Sequence, residues 1–230
     1  MVNIVNNTIA LMHFDNEKNP FKDELGNLTW TINSGTATIT TDNAKFDKCC
    51  NLSGVYATTN EFDFGKDLTI DFWDYLYAYG YYEMIISLCQ NSKMISDRIL
   101  RHESRNIMYT SNSYNNGYYI LLSPSNGILC HWAIVWDSTT NTVRFYINGS
   151  LKVELQRFIY CENGPVFLAF GAHYNPGSLD VKRIYQYISE LRVSNCVRYT
   201  DNFTPPDRPY NIFHHHKLYD NTDKCLYSLI

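Results

Sequence analysis

Hydrophobic and polar positions in this chain alternate in short runs instead of recurring every three or four residues. Alternation with period 2 marks half-buried strands, whereas helices repeat at 3.6. The longest such run is Leu68–Tyr79, which puts Ile70, Phe72, Leu76 and Ala78 on one face and Trp73, Tyr75, Tyr77 and Tyr79 on the other. Trp73 is expected to pack between sheets. Thr8–Phe14, Ala37–Thr40, Gly54–Thr58, Glu83–Gln90, Asn106–Ser111, Gly117–Leu122, Leu129–Asp137, Thr142–Ile147, Val166–Gly171 and Ile184–Ser194 read as further strands. Asp15–Asn27, with Pro20 and Gly26, reads as a loop. Asn148-Gly149 joins Phe145-Tyr146-Ile147 to Leu151-Lys152-Val153. That dipeptide predicts a two-residue hairpin, since a type I′ turn needs positive φ at both central residues. No stretch supports an amphipathic helix of three turns. Short strands separated by turns every ~8–12 residues predict an all-β, two-sheet antiparallel sandwich.

Composition sharpens this. At 230 residues, 45% hydrophobic and 18% charged, the chain can bury a core without staples. No change of composition appears before Pro209, so residues 1–210 are expected to form one domain and 211–230 a C-terminal tail acting as an interaction extension. That tail holds His214-His215-His216 and an apolar end, Cys225-Leu226-Tyr227-Ser228-Leu229-Ile230. The net charge of −4 comes with no basic run, which argues against nucleic acid. No apolar run approaches the ~20 residues that span a bilayer. The first seven residues have neither a basic region nor an apolar one, so Sec export is not expected. The seven cysteines are odd in number and form no C-x-x-C, which fits reduced, buried thiols.

Candidate chemistry is sparse. Retaining glycoside hydrolysis needs two carboxyls about 5–5.5 Å apart. Asp71 and Asp74 are three residues apart and should face opposite sides of a strand; Glu61 and Asp63 precede it, and Glu154 stands alone. His13 and His131 fall on strands and read as structural. His102 and His173 are isolated in loop-like stretches, and three adjacent histidines at 214–216 cannot all converge on one ion. No nucleophile elbow or glycine-rich phosphate loop is present. No enzyme activity and no catalytic residue are expected. Binding is the better prospect, because tyrosine offers an apolar body and a polar tip to sugars and proteins alike. The candidates are Tyr75, Tyr77 and Tyr79 on the strand, and Tyr114, Asn116, His173, Tyr174 and Asn175 in loops at a rim.

Seven segments stand out in order: Leu11-Met12-His13-Phe14-Asp15; Asp23-Glu24-Leu25-Gly26-Asn27 with Trp30; Lys45-Phe46 with Phe62-Asp63-Phe64-Gly65; Leu68-Thr69-Ile70-Asp71-Phe72-Trp73; His131-Trp132-Ala133-Ile134-Val135; Val143 to Gly149; and the closing stretch Ile188 to Pro206. Together they resemble the laminin-G-like, concanavalin-A-like jelly-roll family in the form found in bacteriophage virion proteins. The resemblance runs from Ile9 to Tyr210. It implies a jelly-roll sandwich and a virion component made in the host cytoplasm: a head fibre, decoration or tail-associated adhesion module. Its partners would be other virion proteins or a host-surface glycan. The tyrosine excess and the apolar tail end at Cys225–Ile230 lead to the expectation of a homo-oligomer, trimeric if fibre-like. Relatives often hold a structural calcium ion, to which Asp15, Asn27 and Glu190 would contribute here. No other cofactor is implied. Ser189 stands where relatives carry Asp, which weakens that site. The fold also hosts lectins and glycosidases, so a lectin-like glycan-binding module is the alternative and a glycosidase the third reading.

Overall fold

The computed structural model describes residues 7–77, 83–90, 95–101, 107–111, 127–156, 164–175, 178–181 and 184–210. The described residues contain strands and no α-helix. The strands are β1 (Thr8–Met12), β2 (Trp30–Thr40), β3 (Cys49–Thr59), β4 (Leu68–Leu76), β5 (Glu83–Gln90), β6 (Ile95–Arg101), β7 (Ile107–Ser111), β8 (Cys130–Asp137), β9 (Thr142–Ile147), β10 (Ser150–Gln156), β11 (Phe167–Phe170), β12 (Ala172–Asn175), β13 (Ser178–Val181) and β14 (Ile184–Ser194). Pairing runs β10-β9-β8-β4-β14-β3-β11-β5-β6-β7, with β1 beside β14 and β2 beside β3, and β12 and β13 form a separate pair. Every ladder is antiparallel. This is the all-β sandwich that the alternation predicts.

β3 carries the path from one layer to the other. Its first part pairs with β14, and Ala57 and Thr58 pair with β11. The bend falls at Gly54 and, on the neighbouring β2, at Gly35, whose φ angles are 64° and 82°. A Cβ on Gly35 would lie 2.3 Å from the Gly54 carbonyl oxygen. The two backbones touch at the corner, where a side chain has no room.

One large cluster fills the space between the layers. Leu68, Ile70 and Phe72 of β4 and Trp132, Ile134 and Trp136 of β8 meet Leu52, Leu88, Leu168 and Phe170 there. Burying each such side chain is worth ~1.5–3 kcal/mol. β8 is buried along its whole length, on both faces. On its outer face Ala133 and Val135 join Tyr146 of β9 and Tyr199 in a second cluster. The covering segment is 195–210, the strap. It crosses the first layer and clips onto the β9–β10 hairpin, where Phe203 N donates to Gly149 O at 2.8 Å and Leu151 N to Asn202 Oδ1 at 2.8 Å. The predicted turn is present, with φ of 50° at Asn148 and 74° at Gly149.

Four differences from the pattern reading stand out. Trp30 and Ala37–Thr40 belong to one continuous strand, because the chain passes the Gly35 corner without leaving the ladder. β3 begins at Cys49, five residues before the alternation becomes visible. β6, with Asp97, Arg98 and Arg101 among its residues, gave no strand signal. His173, Tyr174 and Asn175 stand in β12 and not in a loop, and β12 packs over β5 and β6. The strand read at Gly117–Leu122 and the tail at 211–230 lie outside the described residues.

Candidate functional site

The outer face of the first layer divides into two halves. Odd-numbered residues of β4 and β8 point to it, together with Arg192 from β14. Under the strap, Asp71 is fully buried and binds Arg192 through two contacts, Nε to Oδ1 at 3.1 Å and Nη2 to Oδ2 at 2.6 Å. Tyr199 and Tyr210 donate their hydroxyls to Asp71 Oδ2 at 2.9 and 3.0 Å. His131 Nε2 lies 3.0 Å from the Tyr210 oxygen, and the Arg192 guanidinium stacks over the Tyr210 ring at 4.1 Å. Since the Tyr210 proton goes to Asp71, the proton of neutral His131 sits on Nε2 and its Nδ1 has no partner. Burial raises the Asp71 carboxyl, but the charge and hydrogen bonds of Arg192 outweigh it and the net shift is downward. Burial pulls His131 down to about 4, with Asp71 opposing. Every group is buried, and together they form a packing network that ties the strap to the sheet. It unites residues from the segments that carry the family resemblance: Asp71, His131, Arg192 and Tyr199.

Trp73 closes this half. It lies on the outer face and not between the layers, beneath Lys45 (Nζ to ring 4.0 Å) and against His131 (5.1 Å). β4 buries both faces here, one on the core and one under Lys45 and the strap, so alternation alone misplaces the indole.

Beyond Trp73 the face opens. β14 sits between β3 and β4, and its register puts Tyr187 beside Tyr75 on one side and Asn51 on the other. Tyr187 meets Tyr75 edge to face at 5.8 Å and Tyr77 at 4.9 Å. Tyr77 Oη donates to Asn51 Oδ1 at 3.0 Å. Tyr185 stands two residues along the same face, opposite Ser53. Tyr75, Tyr77, Tyr185 and Tyr187 are all half-buried. Two glycines leave room around them: a Cβ on Gly54 would lie 3.3 Å from Tyr185 Oη, and one on Gly127 3.4 Å from Tyr75 Oη. Four amphipathic rings, carried by β4, its C-terminal edge and β14 and flanked by Asn51 of β3 and by glycine backbone, form a platform for stacking and hydrogen bonding.

Of the predicted contact residues, the structure therefore joins Tyr75 and Tyr77. It adds Tyr185, Tyr187 and Asn51, which the chain's pattern hints at only through the alternation Ile184-Tyr185-Gln186-Tyr187-Ile188. Tyr79, Tyr114 and Asn116 lie outside the described residues. His173, Tyr174 and Asn175 belong to β12, apart from the platform's strands.

Of the calcium candidates, Asp15 acts by its charge on both His13 and Glu190, but the groups are engaged otherwise. Glu190, in a bulge at φ 54°, is buried, and both its oxygens lie 2.9 Å from His13 Nδ1. Tyr210 N donates to its Oε2 at 3.0 Å. The hydrogen bond to Glu190 holds His13 above its ordinary value; burial pushes the Glu190 carboxyl up, with His13 opposing. Asn27 uses its amide to donate to Ile9 O at 2.8 Å, and Asp15 is exposed. The loop between β1 and β2 is organised by Asp23, which accepts from the amides of Leu11, Leu25, Asn27 and Leu28. Calcium takes six to eight oxygen ligands, and one carboxylate already engaged by an imidazole does not fit that demand. Among the described residues no group of three or more His, Cys, Asp or Glu side chains converges as a metal site. Ser189 Oγ instead accepts from Lys45 N at 3.2 Å.

Comparison with known proteins agrees with this architecture. The Laminin_G_3 family model, of the concanavalin A-like lectin/glucanases superfamily, matches residues 51–198, and the chain belongs to that family. Among solved structures it is similar to domain 4 of AbnA, a GH43 extracellular arabinanase from Geobacillus stearothermophilus, determined in complex with arabinotriose. The identity is 19% and the TM-score 0.64, over 82% of this chain and 92% of that one. It is also similar to the binding domain of botulinum neurotoxin serotype D/C, at 16% identity and a TM-score of 0.59, over 84% of this chain and 50% of that one. A neurotoxin DC binding domain in complex with rat synaptotagmin II matches at 16% identity and a TM-score of 0.59, over 84% and 49%. The chain thus spans about half of those toxin domains. At these identities the likeness is one of fold. No curated protein matches the sequence.

Proposed function

We propose that this chain is a non-enzymatic binding module that holds its partner on the open tyrosine platform, with a surface glycan as the ligand the geometry suits best. The observation that carries this reading is the group Tyr75, Tyr77, Tyr185 and Tyr187, half-buried along the paired strands β4 and β14 with glycine backbone beside it. Sugars present apolar C–H faces and hydroxyl edges, which rings and phenol groups match together. The setting we propose is a bacteriophage virion, assembled in the host cytoplasm, in which the module is a head fibre, decoration or tail-associated adhesin. That setting rests on the resemblance of the sequence segments. The solved relatives support binding in a general way: one was determined in complex with arabinotriose and another in complex with rat synaptotagmin II.

Hydrolysis has little support. Asp71 is held by Arg192 and two tyrosines, and Asp74 projects to the opposite side of β4. Binding to an array of bacterial capsule and cell-wall saccharides tests the proposal. Wild type is expected to bind a saccharide that Tyr187→Ala no longer retains. A blank array, with Tyr187→Ala disturbing association with another virion protein, would replace the glycan with a protein partner. Release of reducing ends from any polysaccharide would overturn the non-enzymatic reading.

A further inference from the structure

Among the described residues β1, β7, β10 and β2 are edge strands, and β2 is the longest of them. Among the described residues it pairs only with β3. Edge strands usually carry charge, proline or a bulge that discourages another strand from adding to them. β10, the edge at one end of the pairing order, follows that rule: Lys152 and Glu154 are exposed, and a bulge lies between Leu151 and Val153. β2 has neither a charged residue nor a proline. Its irregularities are confined to the stretch between Ile32 and Thr36, so Thr36–Thr40 keeps unbroken register with β3.

That regular stretch is Thr36-Ala37-Thr38-Ile39-Thr40, which reads as threonine alternating with an apolar residue in both directions. Thr36 and Thr38 are exposed, whereas Ala37 and Ile39 pack against the main core. We propose that β2 pairs antiparallel with β2 of a second copy of this chain, about a two-fold axis through Thr38. The axis sets Thr38 against itself, Thr36 against Thr40 of the second copy, and Ala37 against Ile39 of the second copy. Threonine pairs across strands are favourable, and no rung opposes like charges. The apolar rungs join the cores of the two sandwiches. Such an interface is isologous and closes at two chains. The inference does not rest on the tyrosine platform, although Thr38 pairs with Asn51, the β3 residue that borders that platform.

Sedimentation velocity of the full chain across a micromolar range tests it. Species with an even number of chains are expected, dissociating on dilution. Thr38→Lys places two ammonium groups at the axis and is expected to weaken self-association about tenfold or more, with circular dichroism unchanged. Thr38→Cys is expected to cross-link into dimers under mild oxidation, because residues facing one another across strands approach within disulfide range. Leu151→Cys on β10, and wild type, serve as controls that remain uncross-linked. A chain that is monomeric throughout overturns the proposal and leaves the edge for a strand of another protein. An assembly indifferent to Thr38→Lys, with no Thr38→Cys dimer, overturns it equally.

Discussion

The two halves of one sheet face follow opposite rules. Under the strap, charged and polar groups are buried and almost fully paired; past Trp73, four tyrosines are left half open with glycines beside them. Both halves are drawn from β4 and β14, so the difference is not in the strands. It lies in what covers them. Among the described residues the strap spends Tyr199, Phe203 and Tyr210 on the first half and none on the second. The covered half stabilises the molecule, and the uncovered half is the part that can meet something else.

The largest break in that contrast should come from Asp71→Ala. It leaves Arg192 buried without its partner, a loss of ~3–5 kcal/mol by precedent. Chemical denaturation should show it, while the fraction that remains folded keeps its platform. The pH dependence should come next. His131 is held down to about 4 when folded, against 6.5 when unfolded. Between those values the unfolded chain binds the extra proton, so stability falls as the pH drops, by at most about 1.4 kcal/mol per pH unit. His13 acts in the other direction: its folded value is raised, so its contribution is complete below 6.5 and fades as pH rises through the folded value. Thermal melts should therefore be best near pH 6.5, and His131→Gln should flatten the acid limb.

Gly149→Ala should have an intermediate effect. A Cβ there would lie 1.8 Å from the Phe203 carbonyl oxygen at a φ of +74°. Strain of ~1–3 kcal/mol should loosen the strap, seen as faster hydrogen exchange across 195–210. The smallest stability change belongs to Tyr187→Ala, under ~1 kcal/mol beyond lost ring contacts, together with loss of binding.

Much of this architecture is legible in the chain, for identifiable reasons. Alternation in Leu68–Leu76, Thr142–Ile147 and Ile184–Ser194 reports strands because one face is apolar, and Asn148-Gly149 reports a turn because few residues tolerate its backbone. β6 is not legible, since its charged residues break the apolar alternation. β2 is cut in two by Gly35, which marks a corner within a strand and not its end. Trp73 is misplaced because the strap supplies a second buried face that no local pattern announces. The platform is half legible. Tyr75 and Tyr77 show in the alternation at and just past β4, but their meeting with Tyr187 depends on β14 pairing with β4 across about half of the chain's length, and a period-2 pattern contains no register. Glu190 illustrates the same limit, since an acid read as a calcium ligand serves as the partner of a histidine and a backbone amide.

The most direct test compares Tyr187→Ala with Gly149→Ala for binding to the same array of bacterial capsule and cell-wall saccharides, each normalised to folded protein. The account predicts that Tyr187→Ala loses binding at near-native stability, whereas Gly149→Ala is less stable and still binds. Loss of binding in Gly149→Ala with retention in Tyr187→Ala would contradict it and move the site beneath the strap.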